Sequence, residues 1–282
     1  MKARLCAFFF AIQVLNAQVR PSPSEIGKLI ASVREAALAY DSRLPDFICT
    51  QTTRREERDN SGLSATGNGW FGRALATMEA GWKTVDSMDQ QLTYFKRQES
   101  YRILAVNGKA VSPDKQTDPG LITSGEFGST LRSVFEPASF ADIKWIRREV
   151  LRGRPMQVFS YSVRQEDSVV TLAANKSKVV VGYRGLVYVD RETNQVMRLT
   201  TEPGVPPNFP LQDVTRTLDY GRVTIVSEQY LVPLRAETEL TVSRDYLQGG
   251  KTGKASAKVH LRNTVDFKAY RKYRVESAFK PE

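Results

Sequence analysis

The side chains able to do covalent or metal chemistry are few, and their spacing limits what they can do. The chain of 282 residues holds one histidine, His260, and two cysteines, Cys6 and Cys49. A histidine-rich metal centre is therefore excluded, and any Ser/His or Cys/His pair would have to be built on that one imidazole. His260 stands between Val259 and Leu261 in an alternating segment, which sends it to the face opposite those two neighbours, beside Arg262. A solvated strand histidine is the expectation. Carboxylates come in close pairs at Glu56-Glu57 and at Asp190 with Glu192. The first pair, within Arg54-Arg55-Glu56-Glu57-Arg58, reads as an ion-paired, exposed strand end. The second stands at a hairpin corner, where Asp and Asn satisfy backbone donors. Neither has the apolar neighbours that raise a carboxyl group into the range of acid–base catalysis. The glycines of Gly67-Asn68-Gly69 and Gly249-Gly250-Lys251-Thr252-Gly253 lack the spacing and the strand-to-helix setting of a phosphate loop. These residues name no catalytic group, no metal and no cofactor, and the expectation is a protein that is not an enzyme.

The first segment reads as an address. Lys2 and Arg4 form a basic start, Leu5 to Leu15 form an apolar run broken only by Gln13, and Leu15-Asn16-Ala17 resembles a small-residue cleavage site. The run is far short of the roughly 20 residues that span a bilayer. The expectation is a cleaved Sec-type signal over residues 1–17, a periplasmic or secreted mature chain and no stable membrane span. Cleavage would leave Cys49 alone. Because Phe47, Cys49 and Gln51 share one face of a strand, the thiol is expected to pack as a small hydrophobe.

Two helices and many strands must position whatever site exists. Ser22-Pro23-Ser24-Glu25 has the form of a capping box with proline at the first helical position. Ile26, Leu29, Ile30, Val33, Ala37 and Tyr40 follow at helical spacing. A second helix is predicted from Ser124 to Phe135, with Phe127, Leu131, Val134 and Phe135 on one face and Glu136-Pro137 as its stop. Elsewhere the period is two. Strands are predicted over Phe47–Arg54, Trp82–Lys96, Tyr101–Val106, Ile143–Leu151, Met156–Arg164, Val179–Tyr183, Leu186–Asp190, Gln195–Thr200, Val214–Asp219 and Lys254–Val275. Arg222 to Arg244 reads as nearly continuous extended chain bent at Pro233. Turn signals fall at Asn107-Gly108, Arg152-Gly153-Arg154-Pro155, Arg184-Gly185, Glu192-Thr193-Asn194 and Tyr220-Gly221. Short connections imply antiparallel neighbours, and long twisted strands curl. The fold class expected is mainly β (α+β): a large curved antiparallel meander sheet, a half-open barrel with one or two covering helices. Residues 18–282 are expected to form a single β-rich domain.

The formal net charge is +10, and removal of Lys2 and Arg4 leaves +8. The charges are spread along strands with acids between them, and export argues against nucleic acid as a partner. In a cell envelope the natural anionic partners are lipid headgroups, lipopolysaccharide or an acidic protein.

The stretch Val181-Gly182-Tyr183-Arg184-Gly185-Leu186-Val187-Tyr188-Val189-Asp190-Arg191-Glu192-Thr193-Asn194-Gln195-Val196-Met197-Arg198-Leu199 resembles the lipoprotein-localisation carrier superfamily, that is, LolA-like periplasmic carriers and the related RseB/MucB sensors. The whole chain also resembles exported proteins of acidobacterial type, through Leu44-Pro45-Asp46-Phe47-Ile48-Cys49 and Ser124-Gly125-Glu126-Phe127-Gly128-Ser129. The carrier resemblance implies a half-open curved sheet whose concave side is covered by helices. A pocket left under such a cover would take the acyl chain of a lipid or lipoprotein. Phe127, Leu131, Val134 and Phe135 are then the candidate ligand-binding residues, on a helix that Gly120, Gly125 and Gly128 would let move. The alternative is an envelope structural or interaction module with a filled core, binding another envelope protein and no ligand.

Overall fold

The computed structural model describes residues 20–59, 81–112, 126–174, 177–247 and 258–273. Residues 1–17, read above as a signal, the stretch around Trp70-Phe71, Gly120, Gly125 and residues 249–253 lie outside them.

Helix α1 (Pro23–Leu38) starts as its sequence requires. Ser22 Oγ accepts from the Glu25 N–H at 3.3 Å, and Glu25 Oε2 accepts from the Ser22 N–H at 2.7 Å. The helix ends at Ala39, and a 3₁₀ turn over Asp41–Arg43 delivers the chain to the first strand. The strands are β1 (Phe47–Asp59), β2 (Lys83–Phe95), β3 (Gln98–Val106), β4 (Lys109–Ala110), β5 (Asp142–Leu151), β6 (Arg154–Val163), β7 (Thr171–Ala174), β8 (Ser177–Val180), β9 (Tyr183–Asp190), β10 (Val196–Pro203), β11 (Leu211–Ile225), β12 (Glu228–Ser243) and β13 (Lys258–Lys272). Helix α2 (Ser129–Phe135) precedes β5, and a single turn, α3 (Arg244–Leu247), follows β12. Eleven strands form one antiparallel sheet in the order β4-β3-β2-β1-β13-β12-β11-β10-β9-β6-β5, while β7 and β8 pair with each other. The sheet is two meanders, β1–β4 and β5–β13 (with β7 and β8 set aside), joined where β13 pairs with β1; the connection from β4 to β5 crosses from one edge of the sheet to the other. It does not close, and its edges are β4 and β5.

The sheet must curve to make the contacts it makes. From β2 to β5 there are eight strand spacings, about 38 Å if flat at ~4.8 Å each. Two packed helices cover only about 20 Å. Yet α1 and α2, which pack on each other, touch both flanks. Phe127, just before α2, meets Tyr94 of β2 at 5.9 Å and Phe267 of β13 at 5.5 Å between ring centroids. Val33 of α1 and Phe135 of α2 lie with Ile143 of β5, Phe159 of β6 and Val187 of β9. One apolar cluster therefore runs under both helices, with Phe47, Leu92, Leu199, Leu218, Tyr220, Ala236 and Val265 in it. A second cluster around Leu211, Leu240, Val242 and Val259 is packed by Phe209 and Tyr246. A third, with Met156, Val158 and Tyr188, lies on the convex side, since Val158 points opposite to its neighbour Phe159.

Several expectations need correction. Arg184-Gly185 is no turn, for Gly185 sits inside β9. A Cβ there would lie 1.9 Å from the Thr200 carbonyl oxygen, so the glycine allows β9 and β10 to approach. Gly221 likewise lies inside β11, with Leu234 occupying the space a side chain would need. The true turn is Val226-Ser227, which divides the extended run expected from Arg222 to Arg244. Helix α2 is shorter than predicted, because Gly128 has φ +127 and places Glu126–Gly128 in a turn; Ser124 and Gly125 lie outside the described residues. Glu56 is buried rather than exposed, bonded by Arg262 at 2.9 Å.

Candidate functional site

The four residues singled out in sequence are all buried under the helix pair. Phe127 fits an aromatic nest with Phe47, Tyr94 and Phe267. Val134 belongs to the same core, and Phe135 borders a void of about 10 Å³ with Ile30, Val33, Ile143, Phe159 and Val187. That volume holds about one water. Leu131 differs, because it forms the floor of a larger cleft of about 190 Å³. The cleft is walled by Ala36, Ala37, Tyr40 and Leu44 on one side and by Val196 and Leu231 on the other. Arg43, Gln195, Gln229 and Tyr230 supply its polar groups. It lies where α1 and the turn after it pass over the starts of β10 and β12.

Polar bonds tie the cover down at its ends. Arg132 of α2 pairs with Asp41 at 2.8 Å, and Tyr183 Oη donates to the Ser133 carbonyl at 2.5 Å. Tyr220 Oη donates to the Glu126 carbonyl at 3.1 Å, while the Glu126 carboxylate meets Arg216. Tyr40 packs edge-on to Tyr220, 5.5 Å between centroids. Its own hydroxyl is buried with no hydrogen-bond partner among the described residues. Burial, and then the neighbouring Tyr220, hold this phenol well above its usual range, so it stays protonated. Tyr40 carried no special signal in sequence beyond its place on the apolar face of α1. The walls contributed by β10 and β12 could not be read at all, because they depend on pairing between distant strands.

The other groups that could do chemistry are occupied structurally. Burial pushes the Cys49 thiol up to about 12, against a hydrogen bond with Tyr270 that favours the thiolate. Asp190 accepts from the Glu192 and Thr193 N–H groups at 3.0 and 3.1 Å, and Arg154 Nε donates to it at 2.5 Å. Burial works against its charge, but those bonds outweigh it and hold the carboxyl below its usual range. His260 shares a hydrogen bond with Thr241 at 3.2 Å. Arg262 and Arg58 lie on Trp82, 4.2 and 4.8 Å from its ring, a cation–π sandwich on the convex face. Among the described residues, no group of three or more His, Cys, Asp and Glu is placed to hold a metal. No helix among them is long and apolar enough to cross a membrane.

No protein-family model matches the chain, and no curated protein does. Solved structures do. The chain is similar to a LolA superfamily protein from Nitrosomonas europaea, at 10% identity and TM-score 0.38, over 90% of this chain and 97% of that one. It is similar to a DUF1329 family protein from Desulfovibrio piger, at 8% identity and TM-score 0.38, over 92% and 96%. It is also similar to the lipoprotein LppX of Mycobacterium tuberculosis, at 8% identity and TM-score 0.31, over 88% and 98%.

Proposed function

We propose that the protein is an exported, non-enzymatic binding protein whose covered concave face takes the apolar chain of a lipid or lipoprotein, entering by the cleft over Leu131. In this reading residues 1–17 are removed on export and residues 18–282 act as one unit. The observation that carries it is the cleft itself. Its apolar lining continues into the core under the helices through Ala37, Tyr40, Leu131 and Val196. Each methylene buried adds about 0.8 kcal/mol. A dry cavity of about 150 Å³ suffices for a benzene ring, so the 190 Å³ cleft admits the end of a chain. Whole ligands fill roughly 300–1,000 Å³, so deeper entry requires α2 to lift.

The test is displacement of a fluorescent fatty-acid probe, with mass spectrometry of lipid co-purifying with the protein. Wild type should bind the probe, and Ala36→Trp, which fills the cleft from α1, should lose it with no fall in melting temperature. Failure of wild type to bind any probe, or an unchanged affinity in Ala36→Trp, would overturn the reading. One observation favours the alternative, an interaction module with a filled core: the void beneath the helices is only about 10 Å³. That alternative expects no lipid and no probe binding.

A further inference from the structure

Antiparallel pairing gathers one set of turns at a single end of the sheet. Lys96-Arg97 joins β2 to β3, Arg152-Gly153 joins β5 to β6, Arg191–Gln195 joins β9 to β10, and Val226-Ser227 joins β11 to β12. Strand β1 begins there and β13 finishes there, with Phe47 opposite Lys272. Helix α1 lies along the same end, since Asn194 Nδ2 donates to Ser32 Oγ at 2.9 Å. The cleft therefore opens here too, between Arg43, Gln195 and Gln229.

This end carries an excess of exposed cations. Lys96, Arg97, Arg191, Arg222, Arg271 and Lys272 are exposed, and none of them forms an ion pair among the described residues. Of the acids nearby, Asp41 pairs with Arg132, Asp46 accepts from the Lys96 N–H, Glu99 accepts from Tyr101, Glu192 leans on Arg154 and Glu228 accepts from Tyr230. At the opposite end Lys83, Lys109, Lys178 and Lys258 are also exposed without an ion pair among the described residues, while Lys144 pairs with Asp142, Arg164 with Glu166 and Asp167, and Arg184 with Glu202.

The same end presents Val226, 71% exposed and with φ +63. A β-branched residue in that region is a genuine outlier, and the first position of such a two-residue turn ordinarily falls to glycine. The strained tip therefore carries an apolar side chain into solvent where a glycine would be relaxed. Val150, 67% exposed near the end of the edge strand β5, lies at the same end. The opposite end also exposes Phe140 at 73%, Val85 at 54% and Val169 at 76%. Val169 stands next to Glu166 and Asp167, which an anionic surface would repel.

We propose that the end formed by these turns docks on an anionic lipid bilayer, its cations against the headgroups and Val226 entering among them. The proposal goes beyond the binding reading and can fail separately from it. Lysine and arginine near an anionic bilayer each strengthen binding by about five-fold, and the attraction falls within a Debye length of about 10 Å at 0.1 M salt.

The experiment is flotation of the protein with vesicles of phosphatidylcholine alone, or mixed with phosphatidylglycerol. Wild type should float with the mixed vesicles only, and release at high salt. Arg97→Glu and Lys272→Glu should each weaken partitioning by at least about five-fold, while fatty-acid probe binding is unchanged. Lys109→Glu, at the far end, should leave partitioning as it was. Val226→Gly should raise the melting temperature and lower partitioning together, a combination that a merely structural role would not produce. Equal flotation with both vesicle types, or equal loss from Lys109→Glu and Arg97→Glu, would overturn the proposal. So would a more stable Val226→Gly protein that floats as well as wild type.

Discussion

Tyr40 carries the clearest cost in the molecule. Its ring is packed against Tyr220, but its hydroxyl is buried without a partner among the described residues. Tyr40→Phe should therefore stabilise the protein by about 1 kcal/mol in chemical denaturation. Asp190 works in the opposite direction. Its carboxyl is held below the usual range in the folded protein, against the opposing effect of burial. A depressed carboxylate contributes stability above its unfolded value of about 3.9, and that stability is lost as pH falls through the folded value. Asp190→Asn should thus cost about 1–3 kcal/mol at neutral pH. Its stability curve should begin to approach that of wild type near pH 4 and meet it only below the folded value, which equilibrium unfolding across pH would read. Gly185 tests geometry alone. Because its missing Cβ would fall on the Thr200 carbonyl, Gly185→Ala should lower stability by about 3 kcal/mol or more, whereas Gly108→Ala, with open space around it, should pay only the strain of its positive φ.

The elements whose signals are local could be read in advance, and those set by distant contacts could not. Helix α1 announced itself through Ser22 and Glu25, and the Asn107-Gly108 turn through two residues that accept positive φ, here +50 and +72. Gly185 and Gly221 misled for a physical reason. A glycine in sequence marks either a turn or a close approach, and only the partner strand tells which. Phe127, Leu131, Val134 and Phe135 were identified as one apolar face, but their separate surroundings were hidden, and only Leu131 reaches the cleft. Helix α2 is short, and what holds it is packing rather than propensity. Leu131→Ala should cost about 2–5 kcal/mol in unfolding by denaturant, and it would enlarge the cleft. If α2 is a cover that lifts, its amides should exchange hydrogen faster than those of β12 and β13, and a bound fatty acid should change that exchange.

The whole sheet has two faces with different duties. The concave side holds aromatic and aliphatic side chains under the helices, and the convex side carries ion pairs laid across strands, such as Arg198 with Asp219 at 2.8 Å and Arg262 with Glu56 at 2.9 Å. Screening by salt should therefore weaken the convex pairs only modestly, because they are half-buried. The order of the strands has a further effect, on time rather than on energy. Among the described residues, β13 is the only bridge between β1–β4 and the rest of the sheet. A ribosome delivering the chain from its N-terminus can leave β1–β4 paired among themselves, and β5–β12 likewise, but the two sections stay unjoined until β13 arrives. Their union brings together remote segments and should take milliseconds to seconds.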